Sequence, residues 1–135
     1  MKPVVIYWSQ SGNTEAMAKA IAEGAHNCDI FNISDIDVKT ALTYDVIALG
    51  CPAMGSEELE DGEMQPFVED LLPHIRGKKI ALFGSHDWGS GEWMETWQKS
   101  MESSGAAMIA DGLICNLEPE EDTIKQCKIL GSKLL

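Results

Sequence analysis

The sequence has 135 residues, the usual size of one domain, and 44% of them are hydrophobic, so the chain can bury a core without disulfides or a structural metal. The net charge is −12, from 22 acidic and 10 basic residues, and such a surface would repel nucleic acid. No apolar stretch approaches the length of about 20 residues that spans a bilayer, and the run MKPVVIYW is too short for the core of a signal peptide. We therefore expect a single cytoplasmic domain over residues 1–135, a monomer with no nucleic-acid or membrane partner.

The first half of the chain alternates strand and helix patterns. The apolar, β-branched run at 3–8 predicts a first strand, and apolar residues at three- and four-residue spacing predict a helix over 13–25. The segment 28–33 alternates like an edge strand, and 36–42 suits a short helix. The uninterrupted apolar run at 45–50 predicts a central parallel strand that is buried on both faces.

The second half continues the alternation, with helices predicted over 64–75 and 92–103, strands over 79–84 and 107–115, and a last helix opening at Pro119. Five strands that alternate with about five helices are typical of an α/β fold. The predicted architecture is a three-layer, doubly wound, five-stranded parallel sheet.

Four cysteines stand at positions 28, 51, 115 and 127. They form no Cys-x-x-Cys pair, and no histidine lies at the spacing of zinc ligands. Cys51, Cys115 and Cys127 also fall within apolar or helical patterns. We therefore expect small buried thiols rather than disulfides or a metal site.

The loop after the first predicted strand reads SQSGNT, residues 9–14, and leads directly into a helix. A helix N-terminus offers unpaired backbone N–H groups to an anion, and the hydroxyl and amide side chains of this loop add further donors. Helix capping needs one such side chain, and the loop holds several. It carries neither the P-loop motif nor the dinucleotide fingerprint, and no lysine or arginine stands between Lys2 and Lys19. The pattern predicts a phosphate site made of neutral dipoles.

Two further loops follow strands three and four. Taken alone, CPAMGSE at 51–57 is an ordinary turn at least as readily as a ligand contact. In GSHDWGSGEW at 84–93, Trp88 has few neighbours to pack against and is a candidate to stack on a flat ligand, while the spacing of Trp93 and Trp97 indicates core positions. Since ligands bind outside the carboxyl ends of parallel strands, the three loops together predict a site for a planar heterocycle joined to a monophosphate.

The motifs SQSGNTE, CPAMGSEELE and GSHDWGSGEWM, in this order over nearly the whole chain, resemble those of flavodoxins, most closely the short-chain, FMN-binding type of anaerobic bacteria. The resemblance implies the strand order 2-1-3-4-5, for which flavodoxins are a reference example. The implied FMN-binding residues are Ser9, Gln10, Ser11, Gly12, Asn13 and Thr14 around the phosphate, Pro52, Ala53, Met54, Gly55, Ser56 and Glu57 in the second loop, Ser85, His86, Asp87, Trp88 and Gly89 in the third, and Asn116 near the ribityl chain or the ring edge.

The same resemblance implies a role for several side chains around the flavin ring. Met54 would cover the inner face and Trp88 the outer one. The Gly55–Ser56 peptide would reorient on reduction so that its carbonyl accepts from N5–H, and Glu57 would accept from N3–H. The segment 85–89 would line the pyrimidine side.

The function implied is that of a low-potential one-electron carrier and not an enzyme. Non-covalently bound FMN would shuttle between oxidised, semiquinone and hydroquinone states. The partners would be iron–sulfur or flavin redox enzymes with basic docking faces. The acidic runs EELEDGE at 57–63 and EPEED at 118–122 are candidate docking surfaces, although most such runs serve solubility.

Two positions depart from the expected flavodoxin pattern. Gln10 is longer than the small residue expected there, and His86-Asp87 places two titratable groups before Trp88. For His86 we favour a solvated loop side chain over a contact with the flavin.

Three other functions compete with that of a carrier. An FMN-dependent NAD(P)H reductase would need a substrate pocket for which 135 residues leave little room. A phospho-acceptor receiver domain lacks its aspartates, since the first strand ends in Trp8-Ser9. A flavodoxin-like maturation factor that serves one enzyme stays open.

Overall fold

A computed structural model describes residues 2–55, 57–87 and 89–134 of the protein. Its centre is a six-stranded sheet in the order β2-β1-β3-β4-β5, with β6 also paired to β4, and every pair is parallel. The predicted doubly wound order is confirmed. The strands are β1 Pro3–Tyr7, β2 Asp29–Asn32, β3 Val46–Gly50, β4 Lys79–His86, β5 Ala107–Met108 and β6 Leu113–Asn116.

The helices are α1 Asn13–Ala25, α2 Val38–Ala41, α3 Met64–Leu71, α4 Glu92–Ser103 and α5 Glu121–Ser132. The helix predicted over 64–75 stops being α-helical at Leu71 and continues as a 3-10 turn over Leu72–His74, because Pro73 has no N–H to donate to the ladder. In the described part of the chain, no helix combines the length and the apolar character needed to cross a membrane.

Side chains of the central strands alternate between two buried layers. In β3, Ile47 and Leu49 face the side of α3 and α4, where Trp93 and Trp97 are almost fully buried. Val46 and Ala48 face the side of α1 and α5. Both faces of the sheet are therefore covered, which explains the unbroken apolar run of this strand and confirms the two tryptophans as core residues.

The prediction of one continuous strand over 107–115 is wrong, because the chain leaves the sheet between β5 and β6. The amide N–H of Gly112 donates to the Gln98 side chain of α4 at 2.8 Å, and the Gln98 amide donates to Asp111 at 3.2 Å. The Gly112 amide thus bonds to a side chain of α4 rather than to β4. β6 then rejoins the sheet so that Asn116 lies opposite His86.

The cysteines match their expected environment. Cys51, Cys115 and Cys127 are buried, Cys28 is half-buried, and all four are free thiols. Burial raises the pKa of Cys51 and of Cys127 to about 12, so these thiols stay protonated near neutral pH. Among the described residues, no cluster of histidine, cysteine or acidic side chains could hold a metal ion.

Helices α1 and α5 approach closely because each presents a glycine to the other. A Cβ on Gly24 would overlap the backbone of Lys128, and a Cβ on Gly131 would lie 2.9 Å from the Ala25 nitrogen and closer still to the Ile21 carbonyl. The neighbouring atoms are backbone atoms, which cannot turn aside as a flexible side chain can. Close packing of the two helices therefore depends on these glycines.

We expect Gly131→Ala to destabilise the fold by about 1–3 kcal/mol, because the added methyl pushes α5 off α1. The sign of the stability change tests this account, because alanine at an unhindered helical position stabilises a protein by up to about 1 kcal/mol relative to glycine. Urea unfolding followed by far-UV circular dichroism measures the change. Ser132→Ala, at the exposed next position, is the control and should change the stability little. A Gly131→Ala variant as stable as the parent would contradict this account.

Candidate functional site

The carboxyl ends of β1, β3 and β4 meet at one edge of the sheet. Tyr7 pairs with Gly50, and Gly50 pairs with Phe83, so the loops that follow these strands start side by side. The amide of Ala53 donates to the carbonyl of Ser85 at 2.9 Å, which joins the second loop to the third. The structure thus brings the three predicted loops together.

The first loop presents backbone N–H groups at the start of α1. Gly12, with a left-handed φ of 96°, turns the chain into the helix. The hydroxyl oxygen of Ser9 accepts from the amides of Gly12 and Glu15, each at 3.2 Å, and so performs the capping. The amides of Asn13 and Thr14 have no acceptor among the described residues, and they are the groups that an anion at this helix end would meet.

Thr14 is the residue of this loop whose side chain is placed differently from the expectation. It is 1% exposed, and its hydroxyl is 3.1 Å from the hydroxyl of Ser85. This buried pair fastens the first loop to the end of β4. A side-chain contact from Thr14 to a phosphate stays a prediction. Of the other polar residues in this loop, Ser11 is exposed and Asn13 is half-buried.

The second loop is a tight turn closed by an antiparallel bridge. Met54 and Glu58 exchange backbone hydrogen bonds of 2.8 and 2.9 Å. Gly55 and Glu57 both have positive φ, of 52° and 60°. Left-handed backbone is unfavourable for a residue with a side chain, so the turn holds Glu57 in a conformation that it would not adopt freely. Ser56 lies outside the described residues, so the switching Gly55–Ser56 peptide stays a prediction.

The carboxylate of Glu57 lies between the second and third loops. Its Oε1 accepts from the Gly91 amide at 2.9 Å, while its Oε2 is buried and has no partner among the described residues. Gly89 packs so closely on this carboxylate that a Cβ at position 89 would overlap it. A buried carboxylate oxygen without a donor costs free energy, so Oε2 is an acceptor suited to a group from outside the chain.

The turn that presents the Gly91 amide is held by Glu92. The amide and hydroxyl of Ser90 donate to its two carboxylate oxygens at 3.0 and 2.7 Å. Donation from the Ser90 hydroxyl, together with the Ser90 amide, lowers the pKa of Glu92 to about 2. Sequence reasoning missed Gly91, because its acceptor Glu57 lies 34 residues earlier. It also missed Glu92, for which Ser90, two residues before it, was a local signal.

The third loop is supported from β6. The side-chain amide of Asn116 donates to the carbonyl of Asp87 at 2.8 Å, so it holds this loop, and a contact with the ribityl chain stays a prediction. His86 is half-buried with its ring 5.6 Å from that of Trp93, so our expectation of a solvated loop side chain is wrong. The ring packs on a core tryptophan because β4 extends two residues beyond its predicted end. Trp88 lies outside the described residues, and its stacking role stays a prediction.

A cavity of about 180 Å³ opens between the three loops. Four larger cavities lie elsewhere in the described part of the chain: two of about 480 and 340 Å³ beside α4, one of about 470 Å³ between α2 and α3, and one of about 200 Å³ beside α5. We assign the candidate site to the smallest of these cavities because it lies at the strand ends, where all three loops contribute to it. Its described lining residues are Gln10, Ala53, Met54, Gly55, Glu57, Asp87 and Gly89.

The acidic run at 57–63 is not one solvated surface. Glu58, Asp61 and Glu63 are exposed, whereas Glu60 is 9% exposed. The Glu60 carboxylate accepts from the amides of Gly62, Glu63 and Met64 at 2.7, 2.7 and 2.9 Å and so caps the N-terminus of α3. In the sequence, a carboxylate four residues before the start of α3 was the feature that could have indicated this capping role.

Comparisons with known proteins agree with this geometry. The family model described as Flavodoxin matches residues 5–130. A flavodoxin of Megasphaera elsdenii is 47% identical over 131 residues, which cover 94% of this chain and 93% of that protein. A flavodoxin of Clostridium beijerinckii is 40% identical over 134 residues, which cover 96% of each. The solution structure of two-electron reduced Megasphaera elsdenii flavodoxin superposes with a TM-score of 0.89 at 44% identity, over 98% of this chain and 97% of that one.

Proposed function

Because the chain belongs to the flavodoxin family, we propose that it is a low-potential one-electron carrier that binds FMN non-covalently between the loops after β1, β3 and β4. Members of this family are electron-transfer flavoproteins rather than enzymes, and so is this chain. When bound, FMN supplies the redox chemistry, passing one electron at a time between its oxidised, one-electron-reduced and two-electron-reduced states. The observation that carries the proposal is Glu57, which lines the cavity between the three loops and whose buried Oε2 has no partner among the described residues.

The start of α1 suits the phosphate of FMN. The amides of Asn13 and Thr14, which have no acceptor in the described part of the chain, and the partial positive charge of the helix end would bind a dianion without a cationic side chain. Lys19, one turn further along, is already paired with Glu15 at 3.2 Å. The phosphate would therefore be held by dipoles, and positive charge would stay away from the flavin.

The second and third loops suit the ring. The flavin pyrimidine has one donor, N3–H, and Glu57 Oε2 is the buried acceptor that would receive it. This hydrogen bond would satisfy an atom that otherwise costs free energy. Met54 and Trp88 would contact the two ring faces, and the Gly55–Ser56 carbonyl would accept from N5–H after reduction.

The charges around the cavity favour a low second potential. Its described lining includes the carboxylates of Glu57 and Asp87 and no lysine or arginine. Full reduction adds negative charge to the ring, and these carboxylates and the net charge of −12 oppose it. The exposed Glu58 and Asp61 lie on the same loop as Glu57 and would steer basic faces of iron–sulfur or flavin enzymes toward the flavin.

Titration of the purified protein with FMN, followed by anaerobic stepwise reduction, tests the proposal. We expect one FMN per chain and two well-separated one-electron steps in the absorption spectrum. A colourless protein that does not bind added FMN would refute it. Rapid bleaching of the bound flavin by NADH or NADPH alone would instead favour the reductase.

A further inference from the structure

Gln10 lies in the first loop, yet it lines the cavity that the second and third loops enclose. It shares that cavity with Glu57, Asp87 and Gly89, and it is an exposed residue with no side-chain hydrogen bond to a described residue. The capping of α1 is already performed by Ser9. Neither the fold nor the capping therefore accounts for an amide side chain at this position.

The side chains of the described cavity lining offer more acceptors than donors. Glu57 and Asp87, when ionised, only accept hydrogen bonds, and Ala53, Met54 and the glycines have no side-chain donor. Among the described lining residues, Gln10 alone carries side-chain N–H groups. The pyrimidine edge of a flavin has the opposite need, since N3–H is flanked by two carbonyl oxygens and N1 is a further acceptor. A ring whose N3–H meets Glu57 thus turns acceptors toward a described lining in which Gln10 alone offers a side-chain donor beside the backbone amides.

We propose that Gln10 donates its side-chain amide to the acceptor edge of the flavin pyrimidine ring and thereby raises the second one-electron potential. This inference rests on the proposed function. It assigns the Gln10 side chain to the flavin ring, whereas the resemblance had placed it around the phosphate. Reduction increases the electron density on the ring acceptors, so the hydrogen bond strengthens as the flavin gains electrons. Gln10 offsets part of the repulsion from Glu57 and Asp87, whose carboxylates line the same cavity.

The test compares Gln10→Gly and Gln10→Glu with the parent, using FMN and riboflavin, which lacks the phosphate. A net hydrogen bond of about 0.5–1.5 kcal/mol corresponds to a factor of about 2–12 in affinity. We expect Gln10→Gly to weaken binding of fully reduced FMN by about that factor, and that of oxidised FMN by less. The second potential then falls by about 59 mV for each tenfold difference in affinity between the two reduced states.

Gln10→Glu should lower the second potential further, because it adds a third carboxylate to the cavity. Gln126→Glu, which adds the same charge on the exposed side of α5, controls for net charge and should shift the potential much less. Riboflavin should lose affinity for Gln10→Gly by the same factor as FMN.

Loss of FMN affinity with unchanged riboflavin affinity and unchanged potentials would overturn the inference and return Gln10 to the phosphate. Equal potentials in the parent, Gln10→Gly and Gln10→Glu would overturn it as well. Failure of the parent itself to bind FMN is a separate result, since it refutes the proposed function before Gln10 is compared.

Discussion

Replacing Glu57 with alanine should weaken the binding of oxidised FMN about 10- to 100-fold, the largest effect on ligand binding that we expect from one side chain in this protein. The variant removes the buried Oε2 that would accept from the flavin N3–H. It also leaves the Gly91 amide without its 2.9 Å acceptor and so loosens the join between the second and third loops. Fluorescence titration of the apoprotein with FMN measures the loss.

Two further variants test whether the effect of Glu57→Ala comes from the loss of a negative charge or from the position of the carboxylate. Glu58→Ala removes an equal charge from the exposed neighbouring residue and should leave FMN affinity within about twofold, as surface substitutions usually do. Gly89→Ala keeps the carboxylate but displaces it, because the new methyl overlaps the Glu57 side chain, and it should weaken FMN binding as well. If Glu57→Ala bound FMN as tightly as Glu58→Ala, the assignment of Oε2 to the flavin would be wrong.

Glu60→Ala should lower the free energy of unfolding by about 2–3 kcal/mol, because three amides at the start of α3 lose their acceptor. Burial of Glu60 opposes its ionisation, but the three amide donors outweigh it and lower the pKa of this carboxyl below its usual value of about 4.3. A lowered folded-state pKa means that the contribution is complete above the unfolded-state pKa and is lost as the pH falls through the folded-state value.

Glu60→Gln keeps an acceptor at this position but loses the charge. The difference in the free energy of unfolding between this variant and the parent should therefore be constant near neutral pH and should shrink below about pH 4. Asp61→Ala, at the exposed next position, is the matched control and should change the stability little. Denaturant unfolding at a series of pH values provides the measurement. A Glu60→Gln difference that grows toward acid pH would contradict the capping role.

The repeating elements of the fold follow from hydrophobic periodicity alone. Unbroken apolar runs predicted β3 and β4 because both faces of these strands are buried, and the three- and four-residue spacing predicted α1 and α4 with their observed bounds. The three loops of the site were predictable for a related reason. Parallel strands bring their carboxyl ends to one edge, and the strand order 2-1-3-4-5, which the resemblance implied, places the loops after β1, β3 and β4 side by side.

Other features depend on contacts that are distant in sequence. The break between β5 and β6 depends on Gln98, fourteen residues before Gly112, and the segment itself reads as a continuous strand. The packing of His86 needs the ring of Trp93. The pairing of Glu57 with Gly91 spans 34 residues. Such contacts are set by tertiary packing, which local composition does not encode.

The segment between β5 and β6, where the chain leaves the sheet, is a position at which the chain can be lengthened. At Ala110–Gly112 the backbone already runs outside the sheet, its bonds to α4 come from a side chain, and Asp111 is exposed. Residues inserted at Asp111 would lengthen the segment between β5 and β6 that lies outside the sheet. They would not shift the register of β6 on β4. A longer loop costs little additional closure entropy. This point of the fold is therefore where new sequence, from an affinity tag to an added recognition segment, could enter while the flavin site stays in place.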